Sequence, residues 1–422
     1  MRSLTGSGPR RETFGVHHHG GDARKIERTD LPTAPQETCP VARDDDGIWR
    51  VRGYAQARAV LRSHATVQAG LGIETVNKLP SRIRRPVLYR DGPEHREHRR
   101  QTAKYFTPRR VDEHYRELMA RAADAQLAGL RAGGGAPLSE LSFGMAIEVA
   151  STIIGLTSSR PGVRARLERF FPEKFGRPGF TSPHGIYWAL RQGFNWANFY
   201  LGDVRPAIAD HRREPRDDLI SHLLSEGCTA AEIVGECLTF AAAGMVTTRE
   251  FICVAAWHLF TDEALLDRYR AAGEPERLAV LHEILRLEPV VGRLRRRTTE
   301  ALELAGADGP VTVPPGALVE VLVDQANTDP GAMDGDPLSL CPGRTVDGGT
   351  DTPALSFGDG PHRCPGAGIA VLETDVFLTR LFALDGVRMA VAPRVTFAND
   401  IGGYEIRGLV VSADGGPPGV PG

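Results

Sequence analysis

The sequence predicts a mainly α chain with small β-sheets, an α+β arrangement. Three observations carry that prediction. Residues 230–260 are apolar at nearly every turn, a helix on the order of 45 Å long if continuous and too apolar for a surface position. Helical spacing of apolar residues recurs through most of the remaining chain, whereas strand-like runs are short. No repeat or linker divides the 422 residues, so one domain is expected at 37–413, between disordered tails at 1–36 and 414–422.

In chain order, a short strand (Ile48, Trp49, Val51) leads into an amphipathic helix at 55–61. Residues 70–90, with Pro80 and Pro86, read as a long loop. Helical patterns cover 108–132, 138–156 and 164–175. A Gly/Pro-rich break at 176–185 precedes a helix at 186–211 that carries Trp188, Phe194, Trp196, Phe199 and Tyr200. Residues 217–224 are helical again. After the long apolar helix come helices at 262–272, 275–287 and 367–384, and strands at 302–304, 312–313, 318–323, 387–391 and 409–412. Phe170, Phe171, Trp196 and Phe199 could form a lid, but large aromatics chiefly supply buried area, and core positions are expected.

The net charge of −2 gives no overall pull towards nucleic acid or an anionic membrane, and no basic groove interleaved with aromatics is present. Cysteines at 39, 228, 237, 253, 341 and 364 show no paired spacing, which points to a reduced, cytoplasmic protein. A zinc set built on Cys341, His362 and Cys364 lacks the CxxC spacing such sites use. Residues 1–30 are polar, without an apolar leader, and His17-His18-His19 reads as part of the tail. Arginine greatly outnumbers lysine, as in proteins from GC-rich bacteria.

The most specific segment is Phe357-Gly358-Asp359-Gly360-Pro361-His362-Arg363-Cys364-Pro365-Gly366, set directly before the helix at 367–384. A sulfur at a helix N-terminus meets unpaired N–H groups and the positive end of the dipole, which favours thiolate. The glycines permit a tight fold beneath a flat ligand, and His362 and Arg363 can meet anions. This segment resembles the haem-binding loop of the cytochrome P450 family, and the resemblance extends over residues 37–413. It implies that fold, with a long central helix over haem b. Cys364 is then the axial ligand to iron, and Phe357 and Gly366 shape the loop around it. Such a thiolate pushes electron density towards iron-bound oxygen.

Further motifs fit the same resemblance. Glu283 and Arg286 share a helix face, followed by Asn327-Thr328-Asp329-Pro330 and Arg344, an order similar to the family's structural Glu-Arg-Arg triad. His95 and Arg99, four apart, match its propionate-binding pair, with His362 and Arg296 as further contacts. Ala243-Gly244-Met245-Val246-Thr247-Thr248 interrupts the apolar helix. Glycine and a back-bonding threonine distort a helix locally and make room for a small ligand. Here the resemblance implies Ala243 and Gly244 against the haem and Thr247 and Thr248 as catalytic alcohols. Val246 stands where the family carries an acid, a departure that leaves three routes open. Solvent or substrate supplies protons through Thr247, or a substrate radical couples, cyclises or is nitrated without oxygen insertion, or peroxide replaces dioxygen.

Val246, Val290, Val291, Arg293, Glu405 and Ile406, with the loop at 77–88, match positions lining the family's substrate cavity. Pro365 removes one N–H that could bond the Cys364 sulfur. Residues 91–110 hold six Lys/Arg against three Asp/Glu, a patch suited to an acidic ferredoxin or flavodoxin served by an NAD(P)H reductase. The expected function is oxidation of a small organic molecule in natural-product tailoring. A haem sensor without catalysis, or an interaction module that kept the fold, are the readings from other classes.

Overall fold

The expected apolar helix forms the central beam of the molecule. The computed structural model describes residues 22–26, 39–76, 84–170, 182–346, 353–398 and 402–414. Among these, the longer helices are α1 (Tyr54–Arg62), α2 (Gly92–Thr102), α3 (Arg116–Arg131), α4 (Leu138–Ile154), α5 (Val163–Phe170), α6 (Pro183–Phe199), α7 (Arg205–Arg213) and α8 (Leu219–Ser225). They continue with α9 (Ala230–Ala241), α10 (Thr247–Thr261), α11 (Glu263–Ala271), α12 (Glu274–Leu287) and α13 (Ala367–Phe382).

Helices α9 and α10 are one continuous rod joined by a π turn at Ala242–Val246. A capping box starts the rod: the Thr229 hydroxyl accepts from the Glu232 N–H while the Glu232 carboxylate accepts from the Thr229 N–H. The rod is long and apolar enough to cross a membrane, yet more than half of its apolar window is buried inside the protein. Ile233, Val234, Leu238 and Met245 pack with residues of α4, α7 and α8 in one core cluster. Phe251, Ile252 and Leu259 pack with α3, α4, α12 and α13 in another. Side chains buried on opposite sides of one rod fix its path through the middle.

The main sheet runs β1 (Val41–Arg43), β2 (Trp49–Val51), then β8 (Leu318–Leu322) and β5 (Arg293–Thr298), with β3 (Thr66–Ala69) at the edge. Among the described strands only β2 and β8 pair in parallel, with Trp49 opposite Val319. Smaller sheets pair β4 (Gly135–Pro137) with β12 (Val410–Ser412) and β9 (Arg388–Val391), β6 (Leu302–Ala305) with β7 (Pro310–Val313), and β10 (Arg394–Ala398) with β11 (Gly403–Arg407).

The arginine-rich strand β5 was not expected, because charge hides its alternation. Its period of two turns Arg293 and Arg295 towards the fully buried Glu320 of β8, at 3.9 and 2.5 Å, and leaves Arg296 on the other face. The helix expected at 186–211 is instead broken by a π turn at Tyr200–Val204, where Pro206 at the second position of α7 has no N–H for the preceding ladder. The N-terminal tail expected at 1–36 is ordered in part. Ala23 N–H donates to Leu338 O at 3.0 Å, Ile26 N–H donates to Glu288 Oε1 at 3.2 Å, and the Ile26 side chain is buried in the core. His17–His19, the rest of both tails, residues 171–175 of the helix expected at 164–175 (Phe171 among them), residues 176–181 of the break expected at 176–185 and residues 77–83 of the cavity loop lie outside the described residues.

Candidate active site

The cysteine loop is built by its glycines and one aspartate. Gly358 and Gly360 take φ of 70° and 66°, and a Cβ on Gly360 would strike the Leu61 backbone carbonyl at the end of α1. Asp359, buried, accepts from Arg58 Nε at 3.1 Å and Arg62 Nε at 2.8 Å, tying the loop to α1. Cys364 N–H donates to Phe357 O at 2.8 Å, closing the loop ahead of α13, whose N-cap is Gly366. The Cys364 side chain is enclosed by protein yet remains accessible, so it opens onto internal space.

Burial pushes the Cys364 thiol up, against the Gly366 N–H and the nearby Arg99 and Arg363 charges. Desolvation thus outweighs the helix-end contribution in the free thiol. A bound metal cation reverses that balance, since a coordinating thiol loses its proton.

Helix α2 brings the predicted cations to this space. Arg99 Nη2 donates to Arg363 O at 2.6 Å, and burial holds the Arg99 guanidinium below its ordinary value. The rings of His95 and His362 stack with centroids 4.1 Å apart. Burial, then the His362 and Arg99 charges, push His95 down to about 4. Arg296 is buried at 4 % exposure, pairs with no carboxylate among the described residues, and is pushed down to about 10 by burial. The Asp91 charge offsets only part of that burial, and a buried cation left incompletely paired is costly. Two carboxylates of a flat ligand lying here would relieve that cost, so the donor set fits the propionates of a haem.

Sequence reasoning missed Asp91. Its carboxylate accepts from His362 Nε2 at 2.9 Å and from the Gln68 N–H, which sets the His362 ring in place. Asp91 is the N-cap residue of α2, and an aspartate before Gly92-Pro93 was the available signal. Replacing Arg296 by leucine is expected to speed haem transfer to an acceptor apoprotein about tenfold or more. Hydrogen bonds to charged groups contribute ~1.5–3 kcal/mol. Unchanged transfer would remove Arg296 from the set.

On the central rod, Ala243 is exposed, and Gly244, Val246 and Thr247 are half-buried. Thr247 Oγ1 donates to Ala243 O at 2.5 Å across the π turn. This is the local distortion expected from the sequence. Thr248 is turned away, at 3 % exposure, so of the two predicted alcohols only Thr247 borders the opening. Phe106, just beyond α2, stacks on Phe240 of α9 at 6.0 Å, so one segment reaches from the cysteine loop to the rod.

Beneath the loop, Arg286 Nε and Nη2 donate to the Glu283 oxygens at 2.7 and 3.0 Å, and Arg344 Nε lies 3.5 Å from Glu283 Oε2. Both Glu283 and Arg286 are wholly buried. The arginines spend their remaining donors on carbonyls between Asn327 and Ser339. Asn327 extends the lock to the loop: its Nδ2 donates to Arg286 O and Ser356 Oγ, and its Oδ1 accepts from the Leu355 N–H at 2.9 Å.

The predicted cavity residues divide. Val291 bridges to Gly403 and stays half-buried, while Val290 and Ile406 are core residues. Ile406 is 0 % exposed, with its N–H held by Glu250 Oε2 at 2.7 Å, so it supports the wall rather than lining it. Arg293 leans towards Glu320, and Glu405 lies 3.3 Å from Arg407, so neither projects as a free polar anchor.

A family model described as "Cytochrome P450" matches residues 278–384, which hold Glu283, Arg286, Arg344 and Cys364. The chain is 29 % identical to the erythromycin C-12 hydroxylase of Saccharopolyspora erythraea over 83 % of its length and 85 % of that protein's. It is 28 % identical to the pentalenic acid synthase of Streptomyces avermitilis, covering 86 % and 89 %. A solved structure of a mutant of P450 EryK with erythromycin B superposes with a TM-score of 0.70 at 25 % identity, over 90 % of this chain and 95 % of that one. Fold, cysteine loop and relatives converge: the chain belongs to the cytochrome P450 family, oxidoreductases whose cofactor is haem b.

Proposed function

We propose that this protein is a monooxygenase that tailors a bacterial natural product, taking electrons from a separate ferredoxin-type protein. The carrying observation is an accessible, enclosed Cys364 near the buried Arg296, which pairs with no carboxylate among the described residues. Haem b held through Cys364 supplies dioxygen activation when bound. His95, Arg99, Arg296 and His362 would hold its carboxylates, with Asp91 setting His362. Thr247 offers a hydroxyl at the π turn, where it can hold a proton or order water. Insertion puts one oxygen atom into the substrate and releases the other as water, consuming two electrons and two protons.

The relatives named as erythromycin hydroxylase and pentalenic acid synthase support the natural-product reading. The exposed Arg96 and Arg363 flank the loop and support an acidic partner, whereas Arg100, Lys104 and Arg109 are already paired with Glu97, Asp217 and Glu113. A partner so steered docks more slowly as salt rises. Val246 favours a second reading, in which substrate radicals couple without oxygen insertion. Turnover under labelled dioxygen with a surrogate ferredoxin and reductase separates them: label in the product supports insertion, and product without label supports coupling.

Pro365 offers no N–H to the sulfur, leaving Gly366 as the backbone donor. Adding an N–H through Pro365→Leu is expected to raise the reduction potential of the haem protein, measured by dye-mediated titration. An unchanged or lower potential would contradict this account of the loop.

A further inference from the structure

Glu232 and Glu236, one turn apart on α9, each take a backbone N–H from the same segment at 84–90. Arg84 N–H donates to Glu232 Oε1 at 2.8 Å and Val87 N–H donates to Glu236 Oε1 at 3.0 Å. Arg90 Nη2 adds a third bond, to Glu236 Oε1 at 3.2 Å. Pro86 packs where a Cβ on Gly235 would sit, so the segment lies directly on the rod. Glu236 is 1 % exposed and its second oxygen has no partner. His98 of α2 is 7 % exposed; its Nε2 has no partner either, and it lies 3.9 Å from Glu236 Oε1.

A buried acid and a buried imidazole thus confront each other with unused polar atoms, beside an arginine whose ion pair with the acid exists only when the acid is charged. Such an arrangement has two satisfied states. The carboxylate pairs with Arg90 and the Val87 N–H. The protonated acid is an O–H donor, and neutral His98 offers a ring nitrogen to accept it. We propose that Glu236 is a positioning residue: with Glu232 it clasps residues 84–90 to α9, and trading Arg90 for His98 loosens that segment and widens access to the space over Ala243. The access part rests on the reading of the loop at 77–88, whose described end is 84–88, as lining the cavity; the clasp does not.

The electrostatics agree. Burial raises Glu236 to about 7, with Arg90 and the Val87 N–H opposing. Burial, Arg90 and His222 push His98 down to about 4, so it stays neutral while Glu236 titrates. The other ionisable groups around the pair and Arg90 are Arg84 from the segment, Glu94 and Arg99 on α2, with Glu94 3.6 Å from Arg90, His222 on α8, and Cys228, Glu232 and Cys237 at or on α9. As pH falls through about 7 the carboxylate gains its proton and the Arg90 pair is lost.

Hydrogen–deuterium exchange of the full-length holoprotein tests this. Corrected for intrinsic rates, protection of peptides spanning 84–90 is expected to fall at least fivefold between pH 8 and pH 6. Glu236→Gln is expected to abolish that dependence, Glu232→Gln to keep it, and His98→Leu, by removing the acceptor, to shift its midpoint downward. Carbon monoxide rebinding to the reduced holoprotein is expected to quicken below neutrality in the wild type and not in Glu236→Gln. A wild type with no pH dependence, or a Glu236→Gln protein that retains it, overturns the clasp. A changed exchange pattern with unchanged rebinding overturns the link to access.

Discussion

Glu283→Ala is expected to abolish stable, haem-loaded protein. The carboxylate holds Arg286 in two bonds, faces Arg344, and accepts the Cys341 N–H at 3.0 Å, all in the interior. Removing it leaves two guanidinium groups buried without a counter-charge. Breaking a buried pair in this way typically costs ~3–5 kcal/mol, a large share of the ~5–15 kcal/mol that holds a domain folded. Loss then spreads through Asn327, which ties the Arg286 carbonyl to Ser356 and Leu355 just ahead of the cysteine loop. Soluble yield, melting temperature and Soret absorbance per chain report the effect. Glu283→Gln, keeping shape and acceptor but not charge, is expected to fall between the two. A Glu283→Ala protein that melts with the wild type and retains its haem would remove the lock from the account.

The second large effect concerns position 246. Val246→Asp is expected to raise coupled oxygen insertion by tenfold or more and to reduce the electrons lost as hydrogen peroxide. A positioned acid contributes ~10²–10⁴-fold to a proton-limited step. Valine can neither donate a proton nor order water, and Val246 is half-buried in the π turn beside Thr247, where a carboxyl can reach the opening. Reduced-nicotinamide consumption, peroxide release and product formation are measured together with a surrogate redox system. Unchanged partition would place this chain among catalysts whose outcome does not wait on protons delivered from this turn.

How much of this was legible in the sequence follows from where each constraint lies. The cysteine loop was readable because its demands are local: glycines at positive φ, and a sulfur directly ahead of a helix. The central rod and its distortion were readable from composition and from Gly244 and Thr247. The Glu283–Arg286 pair was visible as helix spacing, and Arg344 followed from the family order. Other features depend on distant partners. Asp91 works on His362, 271 residues away, and Glu236 on Val87, 149 residues away, so no local pattern marks them. Strand β5 was hidden because three of its arginines follow one another and its alternation appears only opposite Glu320. The orientation of Thr248 and the burial of Ile406 were set by packing around the rod and β11, which spacing alone does not resolve.

The central claim is that the Cys364 sulfur, not another side chain, binds the iron. Its most direct test is the carbon monoxide difference spectrum of the reduced, full-length protein beside Cys364→His. The wild type is expected to show the strongly red-shifted Soret band of a thiolate-ligated haem, and the variant to lose it. A wild-type band at the unshifted position of imidazole-ligated haem, or a red-shifted band that survives in Cys364→His, would contradict the account.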